Sequence, residues 1–268
     1  MIETLKSLFS WKYEDQPMGD GVYEAHSAWI KLLHDYYLRA EHVGHVSEAL
    51  EATRKERAVL ISNHAVTLEA ALINYFLLKE GAGKVGTLVY REAFRLPLVR
   101  ELFRSAHCVP ISVESGVKTL RKKHILVFPE GMDFINSFIN PGREPRFHKG
   151  FLRIAKQYME EGRKKSVNII PIGHAGAEET FKFWVIRNQT FLDTFIRPFA
   201  SYPFFVLPKV PFLLPSKVII NWGMPVTVTM DDLKNERKIA QKANHFRATL
   251  IALKRRAKKV RGMNGHAS

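Results

Sequence analysis

The sequence predicts an α/β protein, a single domain on a mixed, largely parallel sheet flanked by helices. Three observations predict it. From residue 42 onward, short apolar runs alternate with stretches of helical periodicity, the pattern of strands joined by covering helices. One of those runs, Val59 to Ile61, gives way to a helical stretch through Ser62 and Asn63, both suited to N-capping. Finally, 268 residues suffice for one large core, and no clear linker, repeat or low-complexity tract divides them.

Taken in order, the chain begins with Ile2, Leu5, Leu8 and Phe9 roughly on one helical face and Trp11 just beyond. That suits either a short interfacial helix or a terminal helix packed on the domain. The start lacks the long apolar core of a signal peptide. After a break from Pro17 to Gly21, Ala25, Trp29, Leu32, Leu33 and Tyr36 keep helical spacing, and core packing is the expectation. His26 and His34 read as surface or packing residues. Residues 1–41 thus form an N-terminal helical segment that is open to a membrane-interfacial role, 42–230 the α/β domain, and 231–268 a basic C-terminal helix and tail. Within the domain, strands are expected at 42–46, 57–62, 84–90, 107–113, 124–128, 167–172 and 217–221. Helices are expected at 66–79, 94–105, 114–123 and 150–161, with the basic one at 231–260.

Phe195 to Pro215 departs from this alternation, carrying five prolines among aromatics and leucines. Such density forbids a helix or an interior strand, so an irregular apolar loop is expected. It suits burial under the sheet, contact with a bilayer, or the wall of an acyl-chain groove.

The charge balance narrows the partners. Lys and Arg number 41 against 26 Asp and Glu, a net +15, which calls for an anionic partner: nucleic acid, an acidic membrane surface or a phosphorylated small molecule. Six of those charges fall in eight residues from Lys254 to Arg261. They suit a solvated helix end or adhesion to anionic headgroups. Nucleic acid is the weaker reading, because no zinc finger or RNP signature accompanies the charge. The single cysteine, Cys108, sits among apolar neighbours and reads as a buried thiol in a reducing compartment. With no uninterrupted apolar run of 18 residues, no spanning helix is expected.

The strand-to-helix junction carries the chemistry. His64 stands where a working side chain usually stands in an open sheet, and Glu69 follows five residues on. Residues five apart lie about 140° apart on an ideal helix. The two therefore meet only if His64 lies at or before the first turn with its ring folded back. A carboxylate there holds one ring nitrogen and leaves the other able to take a proton from a hydroxyl. Alone the spacing is a weak signal, and His174 with Glu179 repeats it. A second feature is stronger. The apolar strand Ile125 to Phe128 ends in Pro129-Glu130-Gly131, a turn presenting a carboxylate and an accessible backbone beyond the carboxyl end of a strand.

Asn63-His64, Glu69 and then Phe128-Pro129-Glu130-Gly131 together resemble the phospholipid/glycerol acyltransferase superfamily, which includes the lysophosphatidic acid acyltransferases. The resemblance continues through Phe147-His-Lys-Gly-Phe151, Asn168-Ile-Ile-Pro171-Ile172 and Trp222-Gly-Met-Pro-Val226, in the family's order over roughly residues 40–230. The Pro-rich segment looks like the diacylglycerol-acyltransferase-like branch. The resemblance implies acyl transfer from acyl-CoA or acyl carrier protein, as co-substrate, to a hydroxyl of a glycerolipid or lysophospholipid. His64 would be the general base and Glu69 its partner. Asn63, Phe128, Pro129, Glu130 and Gly131 would line the acceptor site. No metal and no resident cofactor are implied, and the expected place of work is the cytoplasmic face of an anionic membrane.

The departures bear on the acceptor. The acid after the histidine is usually Asp, one methylene shorter than Glu69. The family often places Arg just after Pro-Glu-Gly and after the preceding strand, associated with gripping an acceptor phosphate. Here Met132 and Asp133 follow, and Val109 to Ser115 holds no arginine. Arg91, Arg143, Arg146 or Lys149 are the available substitutes. The missing arginines also keep open a non-catalytic, anionic-lipid-binding protein on the same fold.

Overall fold

The computed structural model describes residues 28–65, 68–91, 94, 100, 103, 106–133, 145–180, 183–186, 205–209 and 214–265. The fold is organised on strand β2 (Ala58–Ser62), whose five residues are all buried. A run without alternation is what a strand covered on both faces requires. Its side chains divide accordingly: Ala58 and Leu60 join one apolar cluster, Val59 and Ile61 another.

Around β2 lie β1 (Glu41–Gly44), β3 (Val85–Val89), β4 (Cys108–Pro110), β5 (His124–Val127), β6 (Ser166–Ala175), β9 (Ile219–Trp222) and β10 (Val226–Thr229). The order is β1-β9-β6-β2-β5-β3-β4, with β10 also on β6, eight strands among the described residues. The central pairings of β2 with β5 and β6, and of β3 with β4 and β5, are parallel. β9 and β10 pair antiparallel with β6, and β1, parallel to β9, shares their direction. Helices α1 (Val46–Lys55) and α2 (Leu68–Lys79) cover one face, through Ala49, Leu50, Leu72, Ile73 and Leu77. Helices α3 (Val113–Leu120), α4 (Gly150–Gly162) and α5 (Glu236–Gly265) cover the other, where Phe151 packs edge-on against Phe246. The expected mixed, largely parallel sheet between helix layers is what the chain forms.

Two prolines mark the seam on β6. Its first half pairs with β10 and its second with β9. The gap between them, Gly223-Met224-Pro225, sits opposite Pro171, which has no N–H for a ladder on either side. Gly223 donates its N–H to the Pro171 carbonyl at 2.8 Å. A β-carbon on Gly223 would stand 2.8 Å from Pro171 Cγ, so only glycine fits that approach.

Several expectations need correcting. The helical segment over 28–37 buries Ile30, Leu33 and His34, while Trp29, Leu32 and Tyr36 are 56%, 48% and 70% exposed. A helix offers the core one stripe at i, i+3, i+4, and the stripe used is set one residue on from the aromatic one. His34 is held there by a polar chain: Trp222 Nε1 donates to His42 Nδ1 at 2.9 Å, His42 Nε2 lies 3.0 Å from His34 Nε2, and His34 Nδ1 lies 2.8 Å from Asp35. Strand β10 was not expected. Within the Pro-rich stretch, β8 (Phe205–Pro208) pairs antiparallel with β7 (Phe183–Ile186) in a separate two-stranded ribbon. Proline is tolerated at such a free edge, and Pro208 ends the strand. Residues 195–204 and 210–213 of that loop, the N-terminal helix, and all of the 94–105 helix except Phe94, Arg100 and Phe103 lie outside the described residues.

Helix α5 lies against β6 at Gly173, where a β-carbon would come within 2.5 Å of the Leu253 backbone carbon and the Lys254 nitrogen. Both are backbone atoms and cannot swing aside. Gly173→Ala should therefore cost about 1–3 kcal/mol of stability by overpacking. Urea unfolding beside the wild type checks this; an unchanged midpoint would contradict the contact.

Candidate active site

The site begins where the ladder between β2 and β6 runs out. Ser62 is the last paired residue of β2, opposite Ile172, and its Oγ donates to the Ile172 carbonyl at 3.0 Å. One residue further, side chains replace the ladder. The His174 N–H donates to Asn63 Oδ1 at 2.8 Å, and Asn63 Nδ2 donates to the His174 carbonyl at 3.3 Å. Neither Ser62 nor Asn63 therefore caps α2, against the sequence expectation; both side chains are used to extend the sheet.

The backbone then turns and His64 folds back over the start of α2. Its Nδ1 lies 2.6 Å from Glu69 Oε1, the same oxygen that accepts the Ala65 N–H at 2.8 Å. Glu69 has no exposed surface, whereas the His64 side chain is 12% exposed. Burial alone pushes the Glu69 carboxyl upward. The hydrogen bond and charge of His64, the proximity of His174 and the Ala65 N–H outweigh it and hold the group down at about 2. Glu69 is therefore an anion that accepts the Nδ1–H, and Nε2 is the ring nitrogen left to take up or give a proton. Phe128 stacks on the imidazole at 4.4 Å between centroids, shielding one ring face. From the turn after β5, Glu130 Oε2 accepts the His64 N–H at 3.1 Å.

The structure thus brings Asn63, His64, Glu69, Phe128 and Glu130 together at the carboxyl ends of β2 and β5. Gly131 follows with φ +51°, a conformation that favours glycine. The Pro129 carbonyl accepts the His148 N–H at 2.7 Å, which ties the turn to the entry of α4. Lys149, at the N-terminus of α4, points its ammonium to within 3.8 Å of Glu236. Arg91 is exposed just past the carboxyl end of β3. Arg146 is described too, whereas Arg143 lies outside the described residues. Cys108 takes no part: it is buried on β4, and burial pushes its thiol up to about 12.

The repeated pattern at His174 resolves differently. Glu179 turns away to Arg261, which grips both its oxygens, so the pair does not form. His174 is nonetheless part of the site, completely buried, with Nε2 at 2.7 Å from the Asn63 carbonyl and 4.0 Å from Glu69 Oε1. Sequence reasoning set it aside because only its spacing to Glu179 was weighed. The available signal was its place, a lone imidazole ending an apolar strand.

The anionic Glu69 has a consequence for acid stability. A carboxyl whose folded value lies below its ordinary 4.5 contributes stability that is complete above that value and is lost as pH falls towards about 2. Glu69→Gln should therefore unfold more easily than wild type at neutral pH, with the difference shrinking between about pH 4.5 and 2. Urea titrations at stepped pH values read this; a difference independent of pH would mean that the carboxylate is not the stabilising form.

Comparison with known proteins agrees with this fold. The fold matches the crystal structure of the 1-acyl-sn-glycerophosphate (LPA) acyltransferase PlsC from Thermotoga maritima, with a TM-score of 0.51 and 16% identity over 94% of this chain and 88% of that one. At that identity the likeness is one of fold. Among curated proteins, none matches the sequence. The family model described as Acyltransferase matches residues 44–175, which contain His64, Glu69, the Pro-Glu-Gly turn and His174, and this match together with the fold supports the phospholipid/glycerol acyltransferase superfamily.

Proposed function

We propose that this acyltransferase moves a fatty acyl group from a thioester, acyl-CoA or acyl carrier protein, to a hydroxyl of a glycerolipid or lysophospholipid, with His64 as general base. The observation that carries the reading is the 2.6 Å contact of His64 Nδ1 with the buried Glu69 carboxylate. Nε2 takes the hydroxyl proton as the oxygen attacks the thioester carbonyl. The resulting imidazolium is stabilised by the Glu69 anion. Collapse of the tetrahedral intermediate breaks the C–S bond, and the proton passes from Nε2 to the departing thiolate. No covalent acyl-enzyme is needed.

The acceptor would lie against Phe128 and the turn Pro129-Glu130-Gly131, where glycine permits close approach. Glu130 is committed to the His64 N–H, so its part is to shape the turn. Arg91 and Lys149 are the cations we assign to an acceptor phosphate in place of the absent arginines. Two roles of the scaffold are then separated: a fixed base at the sheet end and a headgroup contact from the surrounding turns.

The protein is further proposed to work at the cytoplasmic surface of an anionic membrane. Along the end of α5, Arg255, Arg256, Lys258 and Lys259 are exposed, and among the described residues none has an acid within ion-pairing distance. No helix among the described residues is long and apolar enough to cross a membrane.

Radiolabelled acyl-CoA and acyl carrier protein, offered with lysophosphatidic acid, other lysophospholipids, and mono- and diacylglycerol, test the chemistry. His64→Ala should lower turnover by about 10²–10⁴-fold or more. Vesicle binding without turnover on any acceptor would instead favour the lipid-binding reading. For the membrane, replacing Arg255, Arg256, Lys258 and Lys259 near the carboxyl end of α5 by glutamine should weaken binding to phosphatidylserine vesicles about fivefold per charge. Binding to neutral vesicles should not change. Sedimentation at stepped salt measures both; equal binding to neutral and anionic vesicles would dismiss the electrostatic docking.

A further inference from the structure

We infer that His174 is a positioning residue for the general base, acting through the peptide group between Asn63 and His64. This rests on the proposed acyl transfer at His64. His174 Nε2 stands 2.7 Å from the Asn63 carbonyl oxygen, which can only accept. Nε2 therefore carries the proton and donates to it. Asn63 Nδ2, at 3.1 Å from Nε2, is itself a donor and gives its hydrogen bond to the His174 carbonyl instead. The amide orientation is fixed independently, because Asn63 Oδ1 accepts the His174 N–H.

The consequence is a peptide plane held at both ends. Its carbonyl, on Asn63, receives the His174 imidazole; its N–H, on His64, donates to Glu130 Oε2 at 3.1 Å. The next peptide N–H, on Ala65, is held by Glu69. Both peptide groups flanking His64 are thereby anchored by side chains from three different elements: β6, the turn after β5, and α2. The β2–β6 ladder does not reach these peptides, since it ends at Ser62. His174 Nδ1 is buried and, among the described residues, has no hydrogen-bond partner. A residue retained only for packing would not need a donor aimed at that carbonyl.

The amides separate position from bulk, because glutamine places its amide nitrogen near Nε2 of histidine and asparagine places its own near Nδ1. His174→Leu and His174→Asn should lower kcat about 100-fold, the cost of misplacing a reacting group by roughly 1 Å, with KM for donor and acceptor little changed. His174→Gln should recover most of the loss. Retention of wild-type kcat by the leucine variant, or equal loss in the asparagine and glutamine variants, overturns the proposal. Thermal unfolding of each variant accompanies the kinetics.

A measurement on the wild type needs no variant to fold. In ¹⁵N-labelled protein at neutral pH, the His174 ring should show a protonated Nε2 and the deshielded signal of a bare Nδ1. The reverse tautomer, or a doubly protonated ring, overturns the proposal whatever the kinetics. Should the wild type transfer no acyl group from either donor, the functional reading fails and the positioning role with it. The ring tautomer would then report only on the structural clamp, so the two failures are told apart.

Discussion

A carboxylate with no exposed surface keeps its charge in the core of this protein, and the site depends on that. Removing Glu69 from water disfavours its anion, and the structure offsets this with donors aimed at one oxygen: the His64 Nδ1–H and the Ala65 N–H, with His174 nearby. The same contacts determine the ring proton of His64 and its rotation. Of the neighbours of this enclosed anion, His64 is the side chain that reaches solvent at the sheet end.

Such enclosure requires the two strand ends to be rigid relative to each other. β2 and β6 are parallel neighbours, but their ladder stops before either working residue, so Asn63 and His174 continue it through reciprocal side-chain bonds. β6 is fixed from outside in turn. Gly173 admits the backbone of α5, and Asn221 on the adjoining strand donates to the Leu253 carbonyl at 3.1 Å. Beyond the strand, Arg261 binds Glu179, Ser216 and the Lys217 carbonyl, closing the helix end onto the loop after β6. The glycines and prolines of Pro171, Gly173 and Gly223 serve close approach between these elements, so their spacing follows from packing.

Much of the fold was legible because the strands are short, apolar and covered on both faces, a signal that survives without any partner in view. Val59 to Ile61 and Ile125 to Val127 read as strands on those terms, and so they are. His64 and Glu69 were legible as a pair because a local turn brings them together. What escaped was set by distance in sequence. Nothing near Asn63 announces that its amide will meet a strand end 111 residues away, and N-capping was the reasonable local use of that side chain. The exposed aromatic stripe at Trp29 and Tyr36 was misread for a related reason. Periodicity gives the spacing of a stripe but does not say which of two offset stripes the sheet will cover.

Helix α5 joins the two scales of the molecule. Its buried face, from Ile239 through Phe246 and Leu250 to Ala257, is spent on the sheet, while the exposed cations gather towards its carboxyl end. That end is where Leu253 and Lys254 press on Gly173, one residue before His174, and where Arg261 reaches the loop after β6. Cations suit a helix C-terminus, but the dipole acts only within the last turn, and four exposed charges exceed what it needs. A surface that draws this end towards anionic headgroups would pull on the element that fixes β6. In the functional reading proposed here, the cationic end of α5 and the strand that carries His174 would belong to one packed unit.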